Sequence, residues 1–188
     1  MKPSKDYEQK ELDFLQGKSS QRPNKDEQGV EIERTYLCKN EGAVKANGKL
    51  SHHTISYIYD IDGTNVRLVD KYVDPKLGHT YKSVVKTGSG MKRMESNSSM
   101  TEPEFNAFRE NHKDRLIGLA HNDIYFMWDG SVVLVRHYPN GKTISTGEKE
   151  YDSEAAAQEF KLPPWAVKEV TDDPKFRGNR MAIENFKK

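Results

Sequence analysis

The chain has 188 residues, of which 31% are charged and 34% are hydrophobic, and its 30 Lys and Arg residues nearly balance its 29 Asp and Glu residues. A formal net charge of +1 gives no overall electrostatic reason to expect a nucleic-acid-binding protein. The single cysteine, Cys38, excludes an intrachain disulfide and a zinc site built from cysteines. No apolar run approaches the ~20 residues that span a bilayer, so we expect a cytoplasmic protein with no membrane partner.

The N-terminal segment differs in composition from the rest of the chain. Residues 1–28 are dominated by Lys, Glu, Asp, Gln and Ser, and residues 17–24 are typical of a flexible linker. We therefore predict a flexible charged tail or docking arm over residues 1–28 and one folded domain over residues 29–188.

After the tail, the pattern becomes one of strands and tight turns. Asp-Gly or Asn-Gly turns at residues 62–63, 129–130 and 140–141 each separate two apolar runs and predict three β-hairpins. The glycine-rich residues 87–90 are predicted to turn between two further strands. The pattern predicts an α+β chain dominated by antiparallel hairpins, and about eight strands would suffice to close a barrel.

Helices are predicted between and after these strands, with helix-start signals at two of them. Thr-Glu-Pro-Glu at residues 101–104 combines an N-cap threonine with a first-turn proline and a capping-box glutamate, which predicts a helix to about Asn111. Asp152 or Ser153 would cap a short Ala-rich helix. A further helix is predicted near residues 180–186, and we expect all of them to pack outside the sheet.

Several strands carry ionisable residues two positions apart, which places them on one face. For any one strand, the simplest interpretation is a solvent-exposed face. Burying an unpaired ion costs several kcal/mol even after relaxation, so an interior lined in this way needs water, metal ions or a highly charged ligand. A polyphosphate with Mg²⁺ or Mn²⁺ meets that need, because carboxylates coordinate hard cations while Arg and Lys bind phosphate oxygens.

The order of these charged motifs resembles that of the CYTH family, the triphosphate tunnel metalloenzymes, which include class IV adenylyl cyclases, thiamine triphosphatases and tripolyphosphatases. The matching motifs are Glu31-x-Glu33-x-Thr35, Val66-Arg67-Leu68-Val69, Lys86, Arg93-x-Glu95, Lys113-x-Arg115, Glu148-x-Glu150, Pro164-Trp165 and Glu169-Val170-Thr171. The resemblance extends from about Val30 to Met181 and implies an antiparallel tunnel of about eight strands that binds a triphosphate and a metal.

The resemblance also implies a role for each charged residue. The implied roles are catalysis and metal coordination by Glu31, Glu33, Glu148 and Glu150, phosphate binding by Arg67, Lys86, Arg93, Lys113 and Arg115, and orientation of neighbouring cations or water by Glu95. The implied cofactor is Mg²⁺ or Mn²⁺. The implied partner is a small-molecule triphosphate or nucleotide, with nucleic acid entering only as a 5′-triphosphate end, and a homodimer is a further expectation from the family.

The chain departs from the family pattern at three positions. Thr35 stands where the family has Lys, Val69 stands where it has Arg, and the strand over residues 132–137 offers Arg136 or His137 where many members carry Asp. The leading hypothesis is a metal-dependent phosphohydrolase that cleaves the terminal phosphate of tripolyphosphate or a nucleoside triphosphate. Two alternatives stay open: a non-catalytic module that captures a nucleotide or polyphosphate, which the lost lysine favours, and a class IV-type adenylyl cyclase.

Other conspicuous residues receive structural interpretations. His52 and His53 are expected in a loop, where they do not bind one metal together. Trp128 and Trp165 are expected to serve core and end-cap packing, and Cys38 is expected to be a small buried hydrophobic residue.

Overall fold

The computed structural model describes residues 29–186, so the predicted tail over residues 1–28 and the last two residues of the predicted domain lie outside the described residues. The strands are β1 (Val30–Cys38), β2 (Gly48–Ile61), β3 (Thr64–Tyr72), β4 (His79–Ser89), β5 (Lys92–Met100), β6 (Leu116–Met127), β7 (Val132–His137), β8 (Thr143–Glu150) and β9 (Ala166–Glu169). The α-helices are α1 (Glu41–Asn47), α2 (Glu102–Asn111), α3 (Glu154–Gln158) and α4 (Gly178–Glu184), and short 3-10 turns cover Lys113–Arg115 and Pro174–Phe176.

Eight of these strands form a closed antiparallel barrel. The strand order is β1-β5-β4-β3-β2-β6-β7-β8, and β8 pairs with β1 to close the ring. The short strand β9 pairs with the last three residues of β1, and the register shifts between Leu37 and Cys38. The predicted α+β class with an eight-stranded antiparallel barrel is confirmed.

The predicted turns are correct at the three hairpins but not at the glycine-rich segment. The hairpins at residues 62–63, 129–130 and 140–141 are confirmed, and a glycine with positive φ occupies the second position of each. The glycine-rich segment behaves differently, because Thr87 and Ser89 continue to pair with β5. Strand β4 therefore runs three residues further than predicted.

Side-chain capping explains where three of the four α-helices within residues 29–186 begin. Thr101 and Glu104 form the predicted capping box at the start of α2, and Ser153 rather than Asp152 caps α3. Helix α1 was not predicted, although Asn40 caps it by accepting a hydrogen bond of 2.8 Å from the backbone N–H of Ala43. Because β2 begins directly after α1, at Gly48, the expectation of a loop around His52 and His53 is wrong.

The main apolar cluster lies on the outer face of the barrel, beneath the segment that contains α3 and Trp165. Trp165 donates a hydrogen bond of 3.3 Å to the hydroxyl of Tyr36, which is fully buried. Cys38 is buried in the same cluster, as expected, and burial raises the pKa of its thiol to about 12. Trp128 is 44% exposed instead of packed in the core, because it follows the last residue of β6 at a hairpin turn.

The C-terminal segment covers one end of the barrel. Met181 and Ala182 of α4 pack against Ile58 and Ala120, whose side chains belong to the inner face of the barrel. The backbone N–H of Val170 donates a bond of 2.8 Å to the carbonyl of Thr35, which ties the segment to β1. None of the helices within residues 29–186 is long and apolar enough to cross a membrane.

Candidate functional site

The predicted acids of β1 lie inside the barrel. Glu31 and Glu33 are each 2% exposed, as expected for residues two positions apart on a strand with one face turned inward. The ammonium of Lys86 donates a hydrogen bond of 2.7 Å to Glu31 and lies 2.6 Å from a carboxylate oxygen of Glu95. The ammonium of one lysine is therefore shared by two buried acids from different strands.

The second acid pair, on β8, faces the first. Glu150 is directly opposite Glu33 in the ladder between β1 and β8, and Glu148 is opposite Thr35. Opposite residues on one face of such a pair have Cβ atoms about 5 Å apart, so the two acid pairs predicted far apart in the sequence meet on one wall. Arg93 of β5 donates to one carboxylate oxygen of Glu33.

The predicted phosphate-binding cations divide into two groups. Arg67, Lys86 and Arg93 share the inner face with the acids. Lys113 and Arg115 do not join them, because α2 continues into a 3-10 turn and strand β6 begins only at Leu116.

The side chains of this second group form exposed surface pairs. Lys113 pairs with Glu110 at 2.8 Å, and Arg115 pairs with Asp62 at 2.9 Å. The sequence-based expectation that these two cations sit on a strand and reach the interior does not match their position. Lys113 and Arg115 therefore do not contribute to the charge of the barrel interior.

Three inward-facing cations were missed or misjudged from the sequence. Arg136 is 4% exposed, donates to the hydroxyl of Thr146 and lies 3.4 Å from Glu148. Lys71 shares the inner face of β3 with Arg67, four residues earlier, and Lys82 shares that of β4 with Lys86. Continuing the same-face pattern along each strand, from Arg67 to Lys71 and from Lys86 back to Lys82, would have identified both lysines.

His52 belongs to this basic part of the interior. It is 3% exposed, whereas His53 points to the outer face and pairs with Asp123 at 2.7 Å. Burial lowers the pKa of His52 to about 3, and the nearby Lys71 and Lys82 act in the same direction. His52 is therefore a neutral group beside two lysines.

Two cavities on the outside of the barrel are separate from these interior charges. One, of about 470 Å³, includes Tyr57, Arg109 and Lys113 in its lining, and the guanidinium of Arg109 lies 4.3 Å from the centre of the Tyr57 ring. The other, of about 440 Å³, includes His53 and Asp70. Neither cavity is lined by an acid of β1 or β8.

The carboxylates suit a hard divalent cation in their chemistry. Within residues 29–186, no three His, Cys, Asp or Glu side chains are gathered as a ready-made metal site, since Glu31, Glu33 and Glu148 each turn towards a cation. However, Oε2 of Glu33 is buried and accepts no hydrogen bond from a described residue. Carboxylate oxygens are the ligands that Mg²⁺ and Mn²⁺ prefer, so Glu33 with the facing Glu150 fits such an ion.

Comparison with known proteins supports the fold but not a detailed assignment. No protein-family model matches the chain, and no curated protein matches it. The solved structure of the inorganic triphosphatase NE1496 is similar, with 23% identity over 81% of this chain and 94% of that one and a TM-score of 0.53. The PH1012 protein from Pyrococcus horikoshii OT3 is similar at 9% identity over 84% of this chain and 99% of that one, with a TM-score of 0.50. The chain therefore shares its barrel fold with these proteins, and the antiparallel eight-stranded barrel that the resemblance implied is confirmed.

Proposed function

We propose that this protein is a metal-dependent phosphohydrolase that cleaves the terminal phosphate of a triphosphate inside the barrel. The observation that carries the proposal is the meeting of two acid pairs on the wall formed by β1 and β8, with Lys86 and Arg93 on the adjoining strands. A water-filled or empty interior would not need four acids and several cations at this density.

The residues have complementary tasks in this reaction. Attack of water on a terminal phosphorus requires mainly positioning and charge neutralisation. Mg²⁺ or Mn²⁺ held by Glu31, Glu33, Glu148 and Glu150 would supply part of that neutralisation. Arg67, Lys86 and Arg93 bind the non-bridging phosphate oxygens, and Glu95 keeps the ammonium of Lys86 in place.

The comparison with NE1496 supports the choice of a triphosphate, because that protein is described as an inorganic triphosphatase and has the same fold. The identity of the metal and that of the substrate are both part of what we propose.

The experiment is product analysis with tripolyphosphate, ATP and GTP in the presence of Mg²⁺ or Mn²⁺. We expect phosphate release that is lost in Glu33→Gln, which keeps the shape of the side chain but removes its charge. The matched control is Glu110→Gln, whose carboxylate pairs with Lys113 on the surface. Equal activity of wild type and Glu33→Gln would contradict the proposal.

A second candidate is a binding module that captures a polyphosphate or nucleotide without turnover. The specific observation in its favour is the outward position of Lys113 and Arg115. Thermal stabilisation by tripolyphosphate without phosphate release would support this candidate. Release of cyclic AMP and pyrophosphate from ATP would instead identify an adenylyl cyclase.

A further inference from the structure

Two arginines from different strands converge near the end of the barrel that α4 covers. A Cβ atom at Gly178, the first residue of α4, would lie 3.6 Å from Nη2 of Arg136 and 3.8 Å from Nη1 of Arg67. Arg67 comes from β3 and Arg136 from β7, on opposite sides of the strand order. Their guanidinium groups therefore flank one point at the end of the barrel interior that α4 covers.

The ion pair between Arg136 and its counterion is long. The carboxylate of Glu148 lies 3.4 Å from Nη2, whereas charge-assisted hydrogen bonds of this kind are usually about 2.7–2.9 Å long. Arg136 is nevertheless 4% exposed, and its other terminal nitrogen donates to the neutral hydroxyl of Thr146. A buried guanidinium in this setting gains from an additional anion.

The geometry matches the end of a phosphate chain. A terminal phosphoryl group carries more charge and more free oxygens than a bridging one, and two arginine forks can bind it from two directions. Lys86 and Arg93, which pair with acids on β1, would then contact the inner phosphates of the same ligand. Arg136 lies in the strand where many members of the resembled family carry Asp, so its cation is a departure from the family pattern.

We propose that Arg136 is a phosphate-binding residue which, with Arg67, holds the terminal phosphoryl group of the ligand at the end of the barrel covered by α4. Glu148 is the internal anion that holds Arg136 until the ligand enters. The proposal rests on the proposed function, since it assumes that the interior takes a linear phosphate chain.

The test is calorimetric titration of the full chain with inorganic tripolyphosphate, without metal, for wild type and two pairs of variants. Arg136→Met removes the guanidinium, and its control Arg180→Met removes an exposed guanidinium of α4 that pairs with Glu184. Gly178→Asp places a competing carboxylate between the two arginines, and its control Gly178→Ala adds only a Cβ in ordinary contact. The first turn of a helix accepts Asp well, so Gly178→Asp is expected to fold.

We expect Arg136→Met and Gly178→Asp each to weaken tripolyphosphate binding about 10- to 100-fold, the loss typical of a charged hydrogen bond. The two controls should bind within about threefold of wild type. If Arg136→Met fails to fold, Gly178→Asp decides the result, since it retains the arginine. Wild-type affinity in both test variants overturns this proposal while leaving the proposed function intact, and no binding by wild type, either without metal or in a repeat titration with Mg²⁺, overturns both.

Discussion

The ring of Tyr36 lies directly over Gly147, its partner in the ladder between β1 and β8, so closely that a Cβ atom at Gly147 would overlap the ring. The hydroxyl of the same tyrosine hydrogen-bonds with Ser131 at 2.7 Å. Because Gly147 has no side chain, β8 can pass beneath a buried aromatic ring and present the next residue, Glu148, to the interior. The absence of a side chain at Gly147 therefore allows Tyr36 to pack in the outer apolar cluster while Glu148 faces the barrel interior.

Replacement of Gly147 by alanine should destabilise the protein. The added methyl group must displace Tyr36 from its hydrogen bonds, and overpacking of this kind typically costs about 1–3 kcal/mol. Chemical denaturation measures the loss. Gly178→Ala, where the new Cβ meets only ordinary contacts, is the matched control and should change the free energy of unfolding by less than about 0.5 kcal/mol. Equal stability of the two variants would contradict the observed packing.

Replacement of Lys86 by methionine should cost about 3–5 kcal/mol of folding stability, because it leaves Glu31 and Glu95 buried without their shared cation. Lys113→Met serves as the control, since it removes the same charge from an exposed pair and should leave the thermal midpoint nearly unchanged. The measurement is denaturant unfolding at pH 7. Similar small losses in both variants would show that Lys86 is not a structural counterion.

Acidification should destabilise the fold through His52. Its pKa is about 3 in the folded protein and ~6.5 in the unfolded chain, so the unfolded chain binds more protons between these values. The contribution is fully present above ~6.5 and is lost as the pH falls, by about 2 kcal/mol between pH ~6.5 and pH ~5. Urea unfolding of His52→Gln should show a correspondingly smaller loss over this range. His121→Gln, at an exposed position, should retain the full loss.

The position of Lys113 and Arg115 gives a further prediction. A variant with both residues changed to methionine should bind tripolyphosphate within about threefold of wild type, because both side chains pair on the surface. Arg67→Met, on the inner face, should weaken binding about 10- to 100-fold. Calorimetry compares the two directly. A large loss in the double variant would show that the surface pairs open and the side chains turn inward when ligand binds.

Sequence patterns identified the strands of the barrel, because residue types alternate along them and Asp-Gly or Asn-Gly occupies turns between them. The charged alternation was equally informative where a strand was recognised, as for Glu31 and Glu33. The alternation of charges was misleading at Lys113 and Arg115. Their spacing also fits a strand, but helix α2 continues into a 3-10 turn that no sequence signal predicts.

The partners of each charge were not predictable from the sequence. Which cation neutralises which acid depends on the strand order around the barrel, and this order brings Lys86 to Glu31 across 55 residues of sequence. Arg136 illustrates the same limit. In the sequence, Arg136 was noted only as a departure from the Asp that many members carry in this strand. The structure shows a buried cation beside Glu148.

The position of α4 over one end of the barrel has a kinetic consequence. A ligand that enters from the opposite end must leave by the same route, so the part that goes in first comes out last. If the terminal phosphoryl group lies against Arg136, the diphosphate product departs before inorganic phosphate. Inorganic phosphate would then be the product that remains in the enzyme longest, and it would compete with incoming substrate for the emptied interior.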